Sequence, residues 1–136
     1  MALKFAYHPG NVAHSSAPEV ADTMIPASRT LGIELHPLEG ATSCGAGIIR
    51  QANDVLQITL NARTMAMAES MGMDIITPCA TTAGTLHEDL SRLRDDPLLL
   101  AKTNDILGRT SGLSLTGEVR IPVSYTHLRA HETREE

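Results

Sequence analysis

The chain has 136 residues, of which 42% are apolar and 2% aromatic, and a formal net charge of −5. That length supports one domain with a modest core of aliphatic and methionine side chains. The negative balance argues against a nucleic-acid partner, and no run approaches the roughly eighteen apolar residues of a membrane span. Met1-Ala2-Leu3-Lys4 lacks the apolar region and cleavage site of a signal peptide, so a cytosolic address is expected. There the two cysteines, Cys44 and Cys79, read as free thiols, catalytic thiols or metal ligands before they read as a structural disulfide.

In chain order, Leu3 to His8 predicts a first strand, stopped by a turn at Pro9-Gly10. Ser15 or Ser16 suits an N-cap, Pro18 the first turn and Glu19 the positive end of a helix dipole. That helix is expected to reach Leu31, stop at Gly32, and kink or split at Pro26. Ile33 to Leu38 alternates with period two and predicts a second strand. Gly40 to Gly47 reads as a loop of small residues. From Asn53 or Asp54 to Met71, Val55, Ile58, Ala62, Met65, Met67 and Ala68 fall near one helix face, with Gly72 as the stop. Met73 to Thr77 is a short apolar strand, suited to a sheet covered on both faces. A polar helix follows from about Thr85 to Arg94. Asp95-Asp96-Pro97 then starts another, Leu98 to Leu107. Gly117 to Pro122 is a last strand or a linker.

Strand and helix alternate, which predicts an α/β domain with a small parallel sheet and crossover helices. Ligands of such sheets lie beyond the carboxyl ends of the strands. His8 to Asn11, Ser43-Cys44-Gly45 and Pro78-Cys79 all fall there, so the two cysteines are expected on neighbouring turns facing one pocket. His8 and His14 flank the first turn and have ligand chemistry. His36 and His87 read as surface residues. Met65, Met67, Met71 and Met73 read as core filler or contact surface. Cys44 to Gly47 lacks the spacing of a phosphate loop. No acid–base or nucleophile constellation is complete, so no catalytic residue is assigned.

Val123 to Thr133 departs from the rest in composition and resembles one reading frame of a transposase-based sequencing adapter. Residues 123–136 are therefore set aside as a tail, and the fold is assigned to residues 1–122. A genuine polar C-terminal segment is the other reading.

Gly10-Asn11, Ser43-Cys44-Gly45 and Pro78-Cys79-Ala80-Thr81-Thr82 follow one another at even intervals. From Asn11 to Cys44 is 33 positions, and from Cys44 to Cys79 is 35. With Leu31 to Leu35, Gly45 to Gly47 and Leu60 to Arg63, this resembles the cysteine-rich CCG domain. That domain occurs in the B subunit of heterodisulfide reductase and in related fumarate reductase and succinate dehydrogenase subunits. The resemblance covers residues 3–122 and implies the first half of a tandem two-domain subunit. It also implies a noncubane iron–sulfur cluster held by cysteines, with Cys44 and Cys79 at two of five ligand places. Flavin-bearing or ferredoxin-like redox subunits are the implied partners, in the cytoplasm or at the periphery of a membrane complex. Asn11, Ser43 and Thr82 stand at the other three places. Two thiolates cannot supply the usual four protein ligands of a cluster. The alternatives are a ligand pair, a redox dithiol able to form a reversible Cys44–Cys79 disulfide, inert buried thiols, or a half-domain that anchors subunits without a cluster.

Overall fold

The computed structural model describes residues 2–122, with the backbone alone at Val12 and His14. The adapter-like segment, 123–136, lies outside those residues. Strands β1 (Leu3–Tyr7), β2 (Ile33–Pro37) and β3 (Asp74–Ile76) form one parallel sheet in the order β2-β1-β3. Leu3 pairs with Ile33 and Tyr7 with Pro37 on one side of β1, and Phe5 pairs with Asp74 on the other. Parallel neighbours need crossovers. Helix α2 (Pro18–Thr30) joins β1 to β2, and α4 (Asp54–Ser70) lies on the way from β2 to β3. Helices α5 (Ala80–Asp95) and α6 (Pro97–Thr110) follow β3. The α/β class and the parallel sheet are those expected.

Period-two alternation sorts β1 between two cores. Phe5 and Tyr7 pack with Ile33, Ile76 and Met24 of α2. Ala6 points to the other face, into the larger cluster of Ile58, Met65, Leu86, Leu90 and Leu107 from α4, α5 and α6. The sheet is thus covered on both faces, which explains the adjacent apolar Ile75 and Ile76 of β3.

The helix boundaries follow local chemistry. The Asn53 side chain accepts the Leu56 N–H at 3.0 Å and caps α4. Asp96 accepts from Leu98 and Leu99 ahead of Pro97 and caps α6. Gly32 and Gly72 follow α2 and α4 in the left-handed conformation that ends a helix.

Five expectations are corrected. The Pro9-Gly10 turn opens directly into a short helix, α1 (Gly10–Ser15), so Ser15 belongs to α1 and caps nothing. Ala17 precedes α2 without a side-chain cap. Helix α2 runs through Pro26 as one element. The carbonyl that Pro26 leaves without a donor belongs to the exposed Asp22, where water can serve it. The small-residue loop ends in a 3₁₀ turn (Gly45–Gly47) and a further short helix, α3 (Ile48–Ala52). Helix α5 begins at Ala80, a turn before Thr85, because Cys79 caps it.

Gly117 to Pro122 is not a strand, although the Arg120 carbonyl accepts the Ile75 N–H at 2.9 Å beside β3. The segment is clasped instead by Glu69, at the end of α4. Its carboxylate accepts the backbone N–H groups of Thr116, Gly117, Glu118 and Val119 at 2.7–3.2 Å.

Candidate redox site at the carboxyl ends of the strands

Each strand ends in one of the three turns singled out by spacing. His8 continues β1, its N–H bonded to the Ile76 carbonyl. Its ring is buried and fully used. Nδ1 accepts the Gly10 N–H at 3.1 Å, so Nε2 carries the proton and donates to the Thr42 carbonyl at 3.0 Å. His8 is therefore a clamp between the first turn and the cysteine loop, and not the ligand that its position allowed. The side chain of His14 is outside the described set. His36 Nε2 lies 2.7 Å from a Glu34 carboxylate oxygen, and His87 Nε2 meets the Ile121 carbonyl at 2.8 Å.

The clamp holds Cys44 inside. Its residue is 1% exposed, whereas Cys79 is half-buried at the entrance to α5. Both sulfurs meet at Thr82. The Thr82 N–H donates to Cys79 Sγ at 3.4 Å, and the Thr82 hydroxyl, whose single proton either sulfur can accept, lies 3.6 Å from Cys44 Sγ. Gly10 packs on the same place. A Cβ built there would lie 2.5 Å from Cys79 Cβ, and φ is +79°. Only glycine meets both demands. Three sequence-distant turns thus converge on one cluster: Gly10-Asn11, Cys44 and Cys79-Thr82.

Burial pushes the Cys79 thiol up. The Thr82 hydroxyl and the backbone N–H groups of Thr82, Thr81 and Asn11 outweigh it and hold the thiol below its ordinary range. Ser43 spends its hydroxyl on its own loop, accepting the Gly45 N–H at 3.1 Å.

Behind Cys44 stands a polar network that the cysteine spacing does not reveal. The Asn61 amide donates to the Cys44 carbonyl at 3.3 Å and to Asp89 at 2.6 Å. Asp89 is fully buried, and it also accepts from Arg50 at 2.6 Å and Arg92 at 3.5 Å. Arg50 additionally bonds Glu88, and Arg92 grips Asp54 through two bonds of 2.6 and 2.9 Å. The Arg92 hydrogen bonds hold the Asp54 carboxyl below its usual range. Gly45 closes the loop onto this network. Its φ is +77°, and an added Cβ would lie 3.1 Å from the Gln57 side chain. The signals for these residues in the sequence were the Leu60 to Arg63 stretch of the resemblance, which holds Asn61, and the three-residue spacing of Asp89 and Arg92 on α5.

A sequence model of the cysteine-rich CCG domain matches residues 5–87, more than half of the chain. The chain belongs to the CCG family. It is 33% identical over 81 residues to the 8-methylmenaquinol:fumarate reductase membrane anchor subunit of Wolinella succinogenes, covering 60% of this chain and 28% of that one. It is 31% identical over 104 residues to a protein of Archaeoglobus profundus named for its likeness to the heterodisulfide reductase B subunit, covering 76% and 34%. A third relative is the B subunit of the ferredoxin/F420H2-dependent CoB-CoM heterodisulfide reductase of Methanosarcina acetivorans, 29% identical over 67% of this chain and 30% of that one. The chain spans about a third of the length of these relatives. A crystal structure of a hypothetical protein from Helicobacter pylori superposes with a TM-score of 0.78 at 14% identity, over 88% of this chain and 24% of that one. It shares the fold. Two of these relatives are named as reductase subunits, and the third for its likeness to one.

The donors present do not fit a four-thiolate iron–sulfur centre. Two sulfurs converge, and the third group between them is the Thr82 hydroxyl, a neutral oxygen poorly matched to iron. Among the described residues, no three His, Cys, Asp or Glu side chains are grouped to hold a metal ion. No described helix is long and apolar enough to cross a membrane.

Proposed function

We propose that this CCG domain serves a heterodisulfide reductase-like or fumarate reductase-like electron-transfer complex as a dithiol redox domain, with Cys44 and Cys79 as its redox element. The observation that carries this reading is the meeting of both sulfurs at Thr82, one buried and one half-buried. A cysteine pair can pass two electrons without metal, by cycling between dithiol and disulfide once its sulfurs come into bonding range. Flavin-bearing or ferredoxin-like subunits would be the electron partners.

A second reading has its own support. Ser43 and Thr82 stand where the family pattern has cysteine, and both hydroxyls are engaged in internal bonds. Such a half would support neighbouring subunits without redox chemistry of its own.

Anaerobic purification of the 136-residue chain separates the readings. The dithiol domain contains no stoichiometric iron or labile sulfide, has two titratable thiols, and shows a reversible two-electron couple that Cys44→Ser abolishes. A brown protein with iron and sulfide would overturn it in favour of a cluster. Two thiols without any reversible couple would establish the supporting role.

A further inference from the structure

The two edges of the sheet differ. On the β3 side the outward Ile75 N–H is taken by the Arg120 carbonyl at 2.9 Å. The β2 side is the open one. The Leu38 N–H donates to the Tyr7 carbonyl, and the register of β1 and β2 runs from Leu3–Ile33 to Tyr7–Pro37. Glu34, His36 and Leu38 therefore turn their backbone groups toward β1, and Ile33, Leu35 and Pro37 turn theirs outward. Among the described residues, no hydrogen bond reaches the outward N–H groups of Ile33 and Leu35 or the carbonyls of Ile33, Leu35 and Pro37. Such an edge is a template for another strand. A depression lined by Ile25 and Arg29 of α2 and by Ile33, Glu34 and Leu35 opens on it.

We propose that β2 pairs antiparallel with the β2 of a second copy of this chain, about a two-fold axis at Leu35, joining two three-stranded sheets into one of six. Closed symmetry makes the interface self-complementary. The axis sets Leu35 opposite its copy, Ile33 opposite Pro37, and Glu34 opposite His36 on both sides. The two Leu35 residues exchange two backbone bonds, and each Ile33 N–H meets a Pro37 carbonyl. Pro37 has no N–H to give, so the missing donors fall at the two ends of the ladder.

Charge selects this register. An axis one residue earlier puts Glu34 opposite Glu34, and like charges directly opposite destabilise a pair of strands. An axis one residue later puts His36 opposite His36. The Leu35 axis alone sets each carboxylate against an imidazole. The faces match as well. Ile33, Leu35 and Pro37 share the face covered by α2, where Leu35 and Ile25 stand partly buried at the rim of the Phe5, Tyr7 and Met24 core. The Leu35 pair continues that core across the axis. Glu34 and His36 share the opposite face with Lys4, whose ammonium lies 3.7 Å from Glu34.

The interface is independent of the cysteines, so thiol or iron content has no bearing on it. Sedimentation equilibrium of the reduced 136-residue chain, up to about 1 mM, should show a monomer–dimer equilibrium. His36→Glu sets like charges opposite each other twice and should weaken association about tenfold or more. Adding Glu34→His to that variant restores unlike partners and should recover the dimer. Both side chains are partly exposed, so these variants keep the fold. Under mild oxidation, Leu35→Cys should form a disulfide with its own copy, because paired strands bring opposite Cα atoms to about 5.5 Å. Pro37→Cys should not, because its copies stand roughly 14 Å apart along the strands. A wild-type chain that stays monomeric throughout would overturn the interface. A dimer indifferent to His36→Glu, one that the double variant does not recover, or one linked through Pro37→Cys and not through Leu35→Cys would overturn this strand pairing.

Discussion

The two ends of the sheet solve the same problem differently. At one end, the Glu69 carboxylate gathers four backbone N–H groups and fastens residues 116–119 to α4. Arg94 secures the same segment through the Gly117 and Val119 carbonyls. At the other end, the cysteine rim carries an alanine in left-handed conformation, Ala46 at φ +46°. Buried polar atoms there lack protein partners among the described residues: Thr42 Oγ1, Gln57 Nε2 and Asn61 Oδ1. Strain and unpaired polar groups each cost stability and persist where surrounding structure holds them in place. The clasp therefore reads as architecture and the rim as chemistry. The buried Asp89 is what the rim leans on.

Removing Asp89 should break the rim most severely. Asp89→Ala leaves Arg50 and Arg92 facing a gap and deprives Asn61 of its acceptor. Loss of one partner from a buried ionic group costs about 3–5 kcal/mol. Denaturant unfolding should show a drop of that order. Below the transition, alkylation of Cys44 should become fast, because the Asn61 bond to its carbonyl is no longer oriented. A drop under about 1 kcal/mol, the scale of an exposed pair, would mean that the network merely decorates the surface.

The cysteine spacing located the rim but not its support. Even intervals between Asn11, Cys44 and Cys79 reflect repeated strand–helix units, and each unit delivers a turn to the same end of the sheet. The strands were legible because alternation and apolar runs survive in a sheet covered on both faces. The long helix α4 was legible from its period and from Asn53. The short helix α1 was not, because Pro9-Gly10 reads as a turn, and α3 was not, because five residues are too few to show a helical period. The start of α5 was hidden by its cap, since a cysteine seldom plays that part. Asp89 was invisible for another reason. A charged residue in a polar helix reads as solvated, and only the third dimension shows that two arginines and an amide enclose it.

Glu69→Ala should sharpen the contrast with a smaller effect. Thr116 and Glu118 are exposed, so water replaces part of what their N–H groups lose. A charged hydrogen-bond acceptor contributes about 1.5–3 kcal/mol when its partners are shielded, and the lower end applies here. Proteolysis should attack residues 111–122 sooner, while thiol titration of Cys44 and Cys79 stays that of the wild type. Altered thiol reactivity would show that the two ends are coupled through α4, and architecture and chemistry would no longer divide between them.

The smallest effect on stability, and the finest on chemistry, belongs to Thr82→Val. Burial raises the Cys79 thiol, but the Thr82 hydroxyl leads the groups that lower it, with the backbone N–H groups of Thr82, Thr81 and Asn11 behind. The folded pKa is thus below the unfolded one. An acid of this kind contributes stability that is fully present above the unfolded thiol pKa and is lost as pH falls through the folded one. Valine keeps the branched shape and the backbone N–H while deleting the hydroxyl. Thiolate absorbance should then titrate at higher pH than in the wild type, and the pH window of added stability should narrow from its acid side. Cys44 Sγ also loses its hydroxyl contact, so its reactivity should change in the same variant. A titration curve that does not move would mean that the backbone N–H groups alone hold the thiolate, and that Thr82 separates the sulfurs without governing either.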